Sequence, residues 1–237
     1  LGWTDQVGKF RYSVTGNLND SKNKLVELKG NDVLKQGLNF AHQGYSLNSY
    51  FGYEAVGIIQ NAEQLAEYKK LGGIPSNIGL GDMMYKDVDG DGKITAYGDP
   101  VKGSKGDMVN LGSILPRYTF SLNFNLAYSN FDLSLMLQGV GKQVNIRDGS
   151  FAVPMSAIYF QPLEYFYNKS WTPEHTDAKY PRLIPGSVGF DNLLNYNWQY
   201  SSMRVNALSY LRVKVITLGY NVPEVFCRRL RLNGIRF

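Results

Sequence analysis

Alternation of apolar and polar residues with a period of two is the clearest pattern in this sequence. It runs through residues 9–19, through 118–128 and again through 131–138. Because successive side chains of a strand point to opposite faces, the pattern predicts three strands, each with one apolar and one polar face. Only Ser129 and Asn130 separate the second strand from the third, which predicts an antiparallel hairpin with a tight turn.

Weaker patterns predict further elements. Strands are predicted at residues 25–29, 46–59, 207–221 and 228–237, the last with poor alternation. In residues 207–221 the apolar phase changes between Val215 and Ile216, and a one-residue β-bulge near Val215 would reconcile the two halves. A short helix is predicted from the capping residue Asn61 to the glycines at 72–73, and a second within 155–170.

The residue types on the two faces of the predicted strands bear on whether the sheet meets water or lipid. The polar positions of residues 118–128 are Thr, Ser, Asn and Ala without a charge, and the apolar positions begin and end with tyrosine. A soluble β-sandwich also alternates, whereas strands of about ten residues with aromatic residues at both ends are typical of membrane barrels. The pattern alone does not decide between a soluble β-sandwich and a membrane barrel. Two long segments rich in Gly, Pro and Asn, 72–116 and 140–206, favour the barrel, in which long loops on one side are the rule.

Composition narrows the class of protein. The 237 residues are 43% hydrophobic, 14% aromatic and only 19% charged, so the chain can bury enough surface to fold and is not disordered. No run of 18 apolar residues is present, which excludes a helical membrane protein. The lone Cys227 excludes disulfide scaffolds and cysteine-based zinc sites. The net charge of +5 comes from scattered residues, so no nucleic acid partner is expected.

Signals of catalysis are weak. His42 and His175 are far apart, and the chain lacks a Gly-x-Ser-x-Gly elbow and a phosphate-binding loop. We therefore expect a protein that is not an enzyme.

An acidic loop at residues 87–95 is the strongest local motif. Three carboxylates at alternate positions, with glycines that permit a sharp turn, match the first half of a calcium-binding loop. The twelfth position, where a bidentate Glu belongs, is Gly98, and an aspartate follows one place later. The candidate metal ligands are Asp87, Asp89, Asp91, Lys93 through its carbonyl, and Asp99. Ca²⁺ is favoured over Mg²⁺, and the alternative is a metal-free turn whose Asp side chains accept hydrogen bonds from their own backbone.

Aromatic residues are concentrated between positions 158 and 171. Tyr159 and Trp171 are candidates for stacking on a substrate, and the alternative is that these rings pack the long loop onto itself.

Several segments carry longer motifs, in a fixed order. Residues 44–53 read Gly-Tyr-Ser-Leu-Asn-Ser-Tyr-Phe-Gly-Tyr, and residues 81–92 end in Lys-Asp-Val-Asp-Gly-Asp-Gly. The others lie at residues 111–118, 171–174 with 180–182, 210–214 and 218–223. Together they resemble the motifs of the SusC/RagA-type TonB-dependent outer-membrane transporters of Bacteroidetes. The acidic loop departs from the family pattern at Asp89, where Asn is more usual.

The resemblance implies an all-β fold, an antiparallel transmembrane β-barrel of about 22 strands with long extracellular loops and one or two short loop helices. Residues 1–237 would form part of its C-terminal half, with the signal sequence, the plug and the final strands expected outside this chain. An outer-membrane location is implied.

The implied function is active import of oligosaccharides or peptides, energised through TonB. The implied partners are a SusD-like lipoprotein, the TonB complex, outer-membrane lipid and the glycan or peptide substrate. A passive porin-like barrel and a soluble sugar-binding β-domain remain as alternatives. Strand phase suggests as lumen candidates Arg11, Asn123, Asn125, Asp132 and Gln138.

Overall fold

The computed structural model describes residues 1–30, 33–98, 105–149, 152–156, 161–184 and 192–237. The chain forms two compact units. Unit 1 consists of Leu1–Lys22, Leu115–Gln143 and Ala207–Phe237, and unit 2 consists of Asn23–Ile114 and Val144–Asn206.

The described residues form mostly antiparallel strands with few helices. In chain order the strands are β1 (Gly2–Val7), β2 (Phe10–Asn19), β3 (Gly37–Asn39), β4 (Ser49–Tyr53), β5 (Ala55–Ile58), β6 (Met83–Tyr85), β7 (Met108–Ser113), β8 (Arg117–Tyr128), β9 (Phe131–Lys142), β10 (Val144–Ile146), β11 (Val205–Ala207) and β12 (Tyr210–Tyr220). The α-helices are α1 (Ala62–Tyr68), α2 (Asn192–Asn197) and α3 (Glu224–Arg229). Within the described ranges, no helix has the length and apolar character needed to cross a membrane.

Unit 1 is a five-stranded antiparallel sheet in the order β1-β2-β8-β9-β12. The predicted hairpin is confirmed, because Tyr128 pairs with Phe131 around a turn in which Ser129 adopts a positive φ of 53°. The described strands make an open sheet with β1 and β12 at its edges, rather than a closed barrel.

The register sorts the residues of this sheet onto two faces. Directly paired residues share a face, and the alternating apolar residues of β2, β8 and β9 are paired with one another. In β12 the pairing shifts, with Val213 opposite Leu137 and Val215 opposite Met136, so Lys214 is the extra residue of a bulge. The predicted bulge is confirmed. Its effect is that Ile216 joins the apolar face while Val215 moves to the polar one.

A row of aromatic rings crosses the turn end of the apolar face. Phe10 pairs with Tyr128, Tyr128 with Phe131 and Phe131 with Tyr220, whose ring centre lies 4.7 Å from that of Phe131. Tyr118 lies near the other end of β8. Ten residue steps of about 3.3 Å at a tilt of about 45° span about 23 Å, close to the ~25 Å apolar band of membrane strands.

The apolar face is open to its surroundings within unit 1. On β12, Leu211, Ile216 and Leu218 have exposed fractions of 64%, 70% and 70%. An exposed apolar face of this kind is typical of a surface that contacts a partner or a membrane.

Unit 2 has its own hydrophobic core beneath three small sheets, β3-β4-β7, β5-β6 and β10-β11. The predicted strand at 46–59 is divided there into β4 and β5, which pair in different sheets. The predicted strand at 25–29 is wrong, because those residues form no ladder and only Leu25 exchanges backbone hydrogen bonds with the turn at Gly44 and Tyr45.

The helix predictions have mixed outcomes. Helix α1 is confirmed, since the Asn61 side chain accepts a hydrogen bond of 2.9 Å from the Gln64 backbone N–H. The described part of 155–170 contains only a 3₁₀ turn at Glu164–Phe166. The strand predicted at 228–237 is also wrong. Helix α3 occupies its start, helped by Pro223 before the first turn, and only an isolated bridge at Arg236 follows.

Candidate functional site

The five lumen candidates lie on one face of the unit 1 sheet. Asn125 pairs with Ser13 on one side and with Ser134 on the other, and Arg11 and Asp132 both pair with Ala127. A shallow depression on this face is lined in part by Arg11, Asn125 and Asp132. Lumen candidates Asn123 and Gln138 lie further along the same face, paired with Met136 and Ser121.

Hydrogen bonds connect the polar side chains across neighbouring strands. Ser134 Oγ donates to Asn125 Oδ1 at 2.9 Å, and Asn125 Nδ2 donates to Ser13 Oγ at 3.2 Å. At the next strand, an Arg212 guanidinium nitrogen lies 3.0 Å from Gln138 Oε1. The face is therefore a hydrogen-bonded polar surface rather than a set of independent side chains.

One residue of this face was missed from the sequence. Arg236 forms an ion pair with Asp132, and its Nε also donates to the same carboxylate at 3.3 Å. Arg236 lies 104 residues further along, in a segment with no reliable pattern, so no sequence signal connected the two.

The acidic loop in unit 2 is built on backbone hydrogen bonds to its aspartates. Asp87 accepts bonds from the backbone N–H groups of Gly90, at 2.6 Å, and Gly92, at 2.8 Å. Asp91 accepts one from Lys93 at 2.9 Å. Gly90 and Gly92 have positive φ values of 73° and 79°, which bend the loop around these carboxylates. The buried Ile94 anchors the loop in the core.

The structure brings three carboxylates of this region together. Ligand oxygens of Asp87, Asp89 and Asp107 all lie within 4.8 Å of one another. Asp91 is not part of that group. The predicted ligand Asp99 lies outside the described residues, so its position is not part of this geometry.

Asp107 is the ligand that the sequence prediction missed. Its side chain is fully buried and accepts hydrogen bonds from the backbone N–H groups of Val88, at 2.6 Å, and Thr95, at 2.7 Å. Asp89 in turn accepts bonds from Lys105 and Gly106, which fold the returning chain against the loop. The signal available in the sequence was the Gly-Asp pair at 106–107, placed beyond the spacing of a standard calcium loop.

The surroundings of Asp107 disfavour its charged form. Burial raises its pKa above the ordinary value, the hydrogen bonds from Thr95 and Val88 oppose that rise, and the negative charge of Asp89 adds to it. A cation bound between the carboxylates would remove the repulsion.

The donor set fits a hard cation. Calcium takes oxygen ligands at about 2.3–2.6 Å, so two ligand oxygens on opposite sides lie about 4.6–5.2 Å apart, whereas magnesium at about 2.0–2.1 Å requires about 4.2 Å at most. The ligand oxygens of the cluster all lie within 4.8 Å of one another, which is compatible with either ion, so the preference for calcium rests on the sequence of the loop.

A second polar centre in unit 2 joins two of the motif segments to helix α2. Asp82 is fully buried, and Arg182 Nε and a terminal nitrogen donate to its two oxygens at 2.8 and 3.0 Å. Asn197 Nδ2 donates to Asp82 Oδ1 at 2.8 Å, and the Gly79 N–H donates to Oδ2 at 2.7 Å.

Trp171 packs in the core beside this centre. Its exposed fraction is 8%, its Nε1 donates to Gln60 Oε1 at 2.9 Å, and a side chain carbon placed on Gly81 would lie 2.4 Å from the indole. An indole so enclosed has no open face for a ligand, so its candidacy for substrate stacking is corrected: Trp171 packs against Gly81 and Gln60 of another segment. The other stacking candidate, Tyr159, lies outside the described residues.

Comparison with known proteins finds relatives of one kind, the TonB-dependent receptors. No family model matches the chain. Two TonB-dependent receptors of Formosa agariphila are similar along nearly all of it: receptor P3 is 26% identical over 96% of this chain, and receptor P26 is 28% identical over 92%. Each alignment covers 21% of the relative, so the chain spans about one fifth of the curated relatives that it matches.

Solved structures show the same fold. A chain of the RagAB peptide importer in the closed-closed state matches 99% of this chain with a TM-score of 0.62 at 17% identity, and a RagAB peptide transporter structure matches with 0.63 at 15%. The alignments cover 24% and 23% of those chains. The resemblance to TonB-dependent receptors of the SusC/RagA type, inferred from the motifs, is thereby confirmed.

Proposed function

We propose that this chain forms part of the wall and the loops of an outer-membrane importer that is energised through TonB. The observation that supports this most directly is the unit 1 sheet, whose register separates an exposed apolar face, bordered by aromatic rings, from a hydrogen-bonded polar face. The apolar face would contact lipid, with its rings at the level of the headgroups, and the polar face would line the lumen.

The substrate of the complete protein would be an oligosaccharide or a peptide, captured together with a SusD-like lipoprotein. The similarity to chains of the RagAB peptide importer supports the peptide alternative, and it is a similarity of fold. The lumen residues Arg11, Asn125 and Asp132 offer both donors and acceptors, which suits hydroxyl and amide groups alike.

Uptake in cells tests this proposal. Import of a labelled oligosaccharide or peptide substrate should fall to background when either the TonB protein or the cognate lipoprotein is deleted. A passive porin would continue to import without TonB, and a soluble sugar-binding domain would be recovered outside the membrane fraction. Either result would overturn the proposal.

For the acidic loop we propose a calcium site formed by Asp87, Asp89 and Asp107, with the Lys93 carbonyl and Asp99 as further ligands. Calcium would fix the end of the loop against the core of unit 2 by neutralising three carboxylates. This is a structural role.

Calcium binding should strengthen as the pH rises through the pKa of Asp107. Because burial raises that pKa, protons compete with the metal up to a higher pH than they would at an ordinary aspartate. At a pH above the pKa of Asp107, the charged site without calcium destabilises the loop. At a calcium concentration 100-fold above Kd, we expect about 2.7 kcal/mol of stabilisation. Hydrogen exchange of residues 87–95, with and without calcium at several pH values, measures this stabilisation and its pH dependence.

Two variants make this test specific. Asp107→Asn should abolish most of the calcium effect and its pH dependence, whereas Asp91→Asn, which removes a carboxylate outside the cluster, should retain them. Equal losses in the two variants would contradict a site centred on Asp107.

A further inference from the structure

Positively charged side chains in unit 2 surround a pair of hydrogen-bonded tyrosines. The hydroxyl oxygens of Tyr165 and Tyr180 lie 2.8 Å apart. The guanidinium carbon of Arg147 lies 4.3 Å from the centre of the Tyr165 ring, and Lys169 Nζ lies 4.1 Å from it. Lys179 Nζ lies 5.3 Å from the centre of the Tyr180 ring. Three cations therefore lie against two adjacent rings.

Among the described residues, these cations have no acidic partner. None of the three forms an ion pair with a carboxylate in the part of the chain that the structure describes, and all three side chains are exposed. The positive charges also affect the pKa of the neighbouring tyrosine. The pKa of Tyr165 is lowered, first by its hydrogen bond with Tyr180 and, against the opposing effect of burial, by the charges of the three cations. The surroundings of the Tyr165 hydroxyl thus favour negative charge, whereas burial raises the pKa of Tyr180.

A small recess adjoins the tyrosine pair. The residues that matter for its chemistry are Arg147, Tyr165, Tyr180, Trp198 and Arg204. Arg204 is buried, and its guanidinium nitrogens donate to the backbone carbonyls of Trp198, at 2.7 Å, and Arg147, at 2.6 Å. Two guanidinium groups therefore line the recess, one of them held in place by the backbone.

We propose that the exposed surface formed by Arg147, Lys169 and Lys179 around the two tyrosines binds a carboxylate of the imported ligand. A guanidinium group presents paired donors that match a carboxylate, and the lysines add attraction that acts over several ångströms. The transported ligand would then be an acidic oligosaccharide or an acidic peptide. This identity rests on the proposed import function, while carboxylate binding can be measured without transport.

Calorimetric titration of the complete protein in detergent at low salt tests the proposal. The probes are trigalacturonate and triglutamate, each compared with an uncharged counterpart, the methyl ester of trigalacturonate and triglutamine. We expect one charged probe to bind at least tenfold more tightly than its counterpart, and this advantage to shrink as ionic strength rises from about 20 to about 200 mM. The probe that shows the preference identifies the ligand as sugar or peptide.

Variants locate the site. Arg147→Gln combined with Lys169→Gln should weaken binding of the preferred charged probe about tenfold and leave its neutral counterpart unchanged. Lys70→Gln combined with Lys86→Gln makes the same change of net charge in unit 2, at lysines that pair with glutamates, and should have no effect. Equal binding of charged and neutral probes, or equal loss in the two double variants, would overturn the inference.

The two proposals fail separately. Carboxylate binding without TonB-dependent uptake would overturn only the import function, and uptake without any preference for charged probes would overturn only the carboxylate site.

Discussion

Replacing Leu135 with arginine is expected to prevent assembly of the protein in the outer membrane. Leu135 lies in the middle of β9 on the apolar face, paired with Phe124 on one side and Ile216 on the other. If that face contacts lipid, a charge at this depth costs about 2–4 kcal/mol. The amount of folded protein in outer-membrane fractions, measured by its resistance to heat in gel electrophoresis, should fall severely.

The neighbouring residue provides the matched control. Met136 is also apolar and lies in the same strand, but it pairs with Asn123 and Val215 on the polar face. Met136→Arg should assemble at close to the wild-type level, because its charge would meet water. If both variants assembled equally well, the apolar face would not be lipid-facing.

Replacing Asp82 with alanine is expected to destabilise unit 2 by about 2–3 kcal/mol. Removing one partner of a fully buried ion pair costs about 3–5 kcal/mol, and we reduce this because Arg182 is 37% exposed and partly solvated. The change also deprives Asn197 and the Gly79 N–H of their acceptor. Hydrogen exchange at the backbone amides of Ile59 and Met83, next to Asp82, should accelerate roughly 30- to 150-fold.

Glu54→Ala is the appropriate comparison. Glu54 pairs with Lys86 in the same unit, but both side chains are about half exposed. Exposed pairs contribute about 0–1 kcal/mol, so exchange at Ile59 and Met83 should change little. A comparable acceleration in the two variants would show that burial does not set the importance of Asp82.

The sheet of unit 1 was predictable from the sequence because its information is local. Period-two alternation and a two-residue turn determine β8, β9 and their pairing without reference to any distant residue. The same phase placed Arg11, Asn125 and Asp132 on one face. Even the bulge of β12 left a local sign, the change in phase of its apolar residues.

Unit 2 was less predictable because its contacts are distant in sequence. Strand β5 pairs with β6 about 25 residues later, and Asp82 meets Arg182 100 residues away. The metal cluster illustrates the same limit. A loop template searches for the last carboxylate near position 99, whereas the chain returns at Asp107, through contacts that no spacing rule contains.

Trp171 shows a different limit. An aromatic residue in a long loop has the same sequence signature whether its ring meets a ligand or a core. The deciding fact is the glycine at position 81, which leaves room for the indole above it. Steric complementarity of this kind exists only once both segments are folded.

The extra residue in β12 has a consequence for how this strand tolerates change. Lys214 has no paired position of its own, and its two neighbours, Val213 and Val215, lie opposite the consecutive residues Leu137 and Met136. Deleting Lys214 would therefore give an unbroken ladder in which Val213 and Leu211 stay on the apolar face and Val215 stays on the polar one. At this position the strand can lose a residue without a change of register.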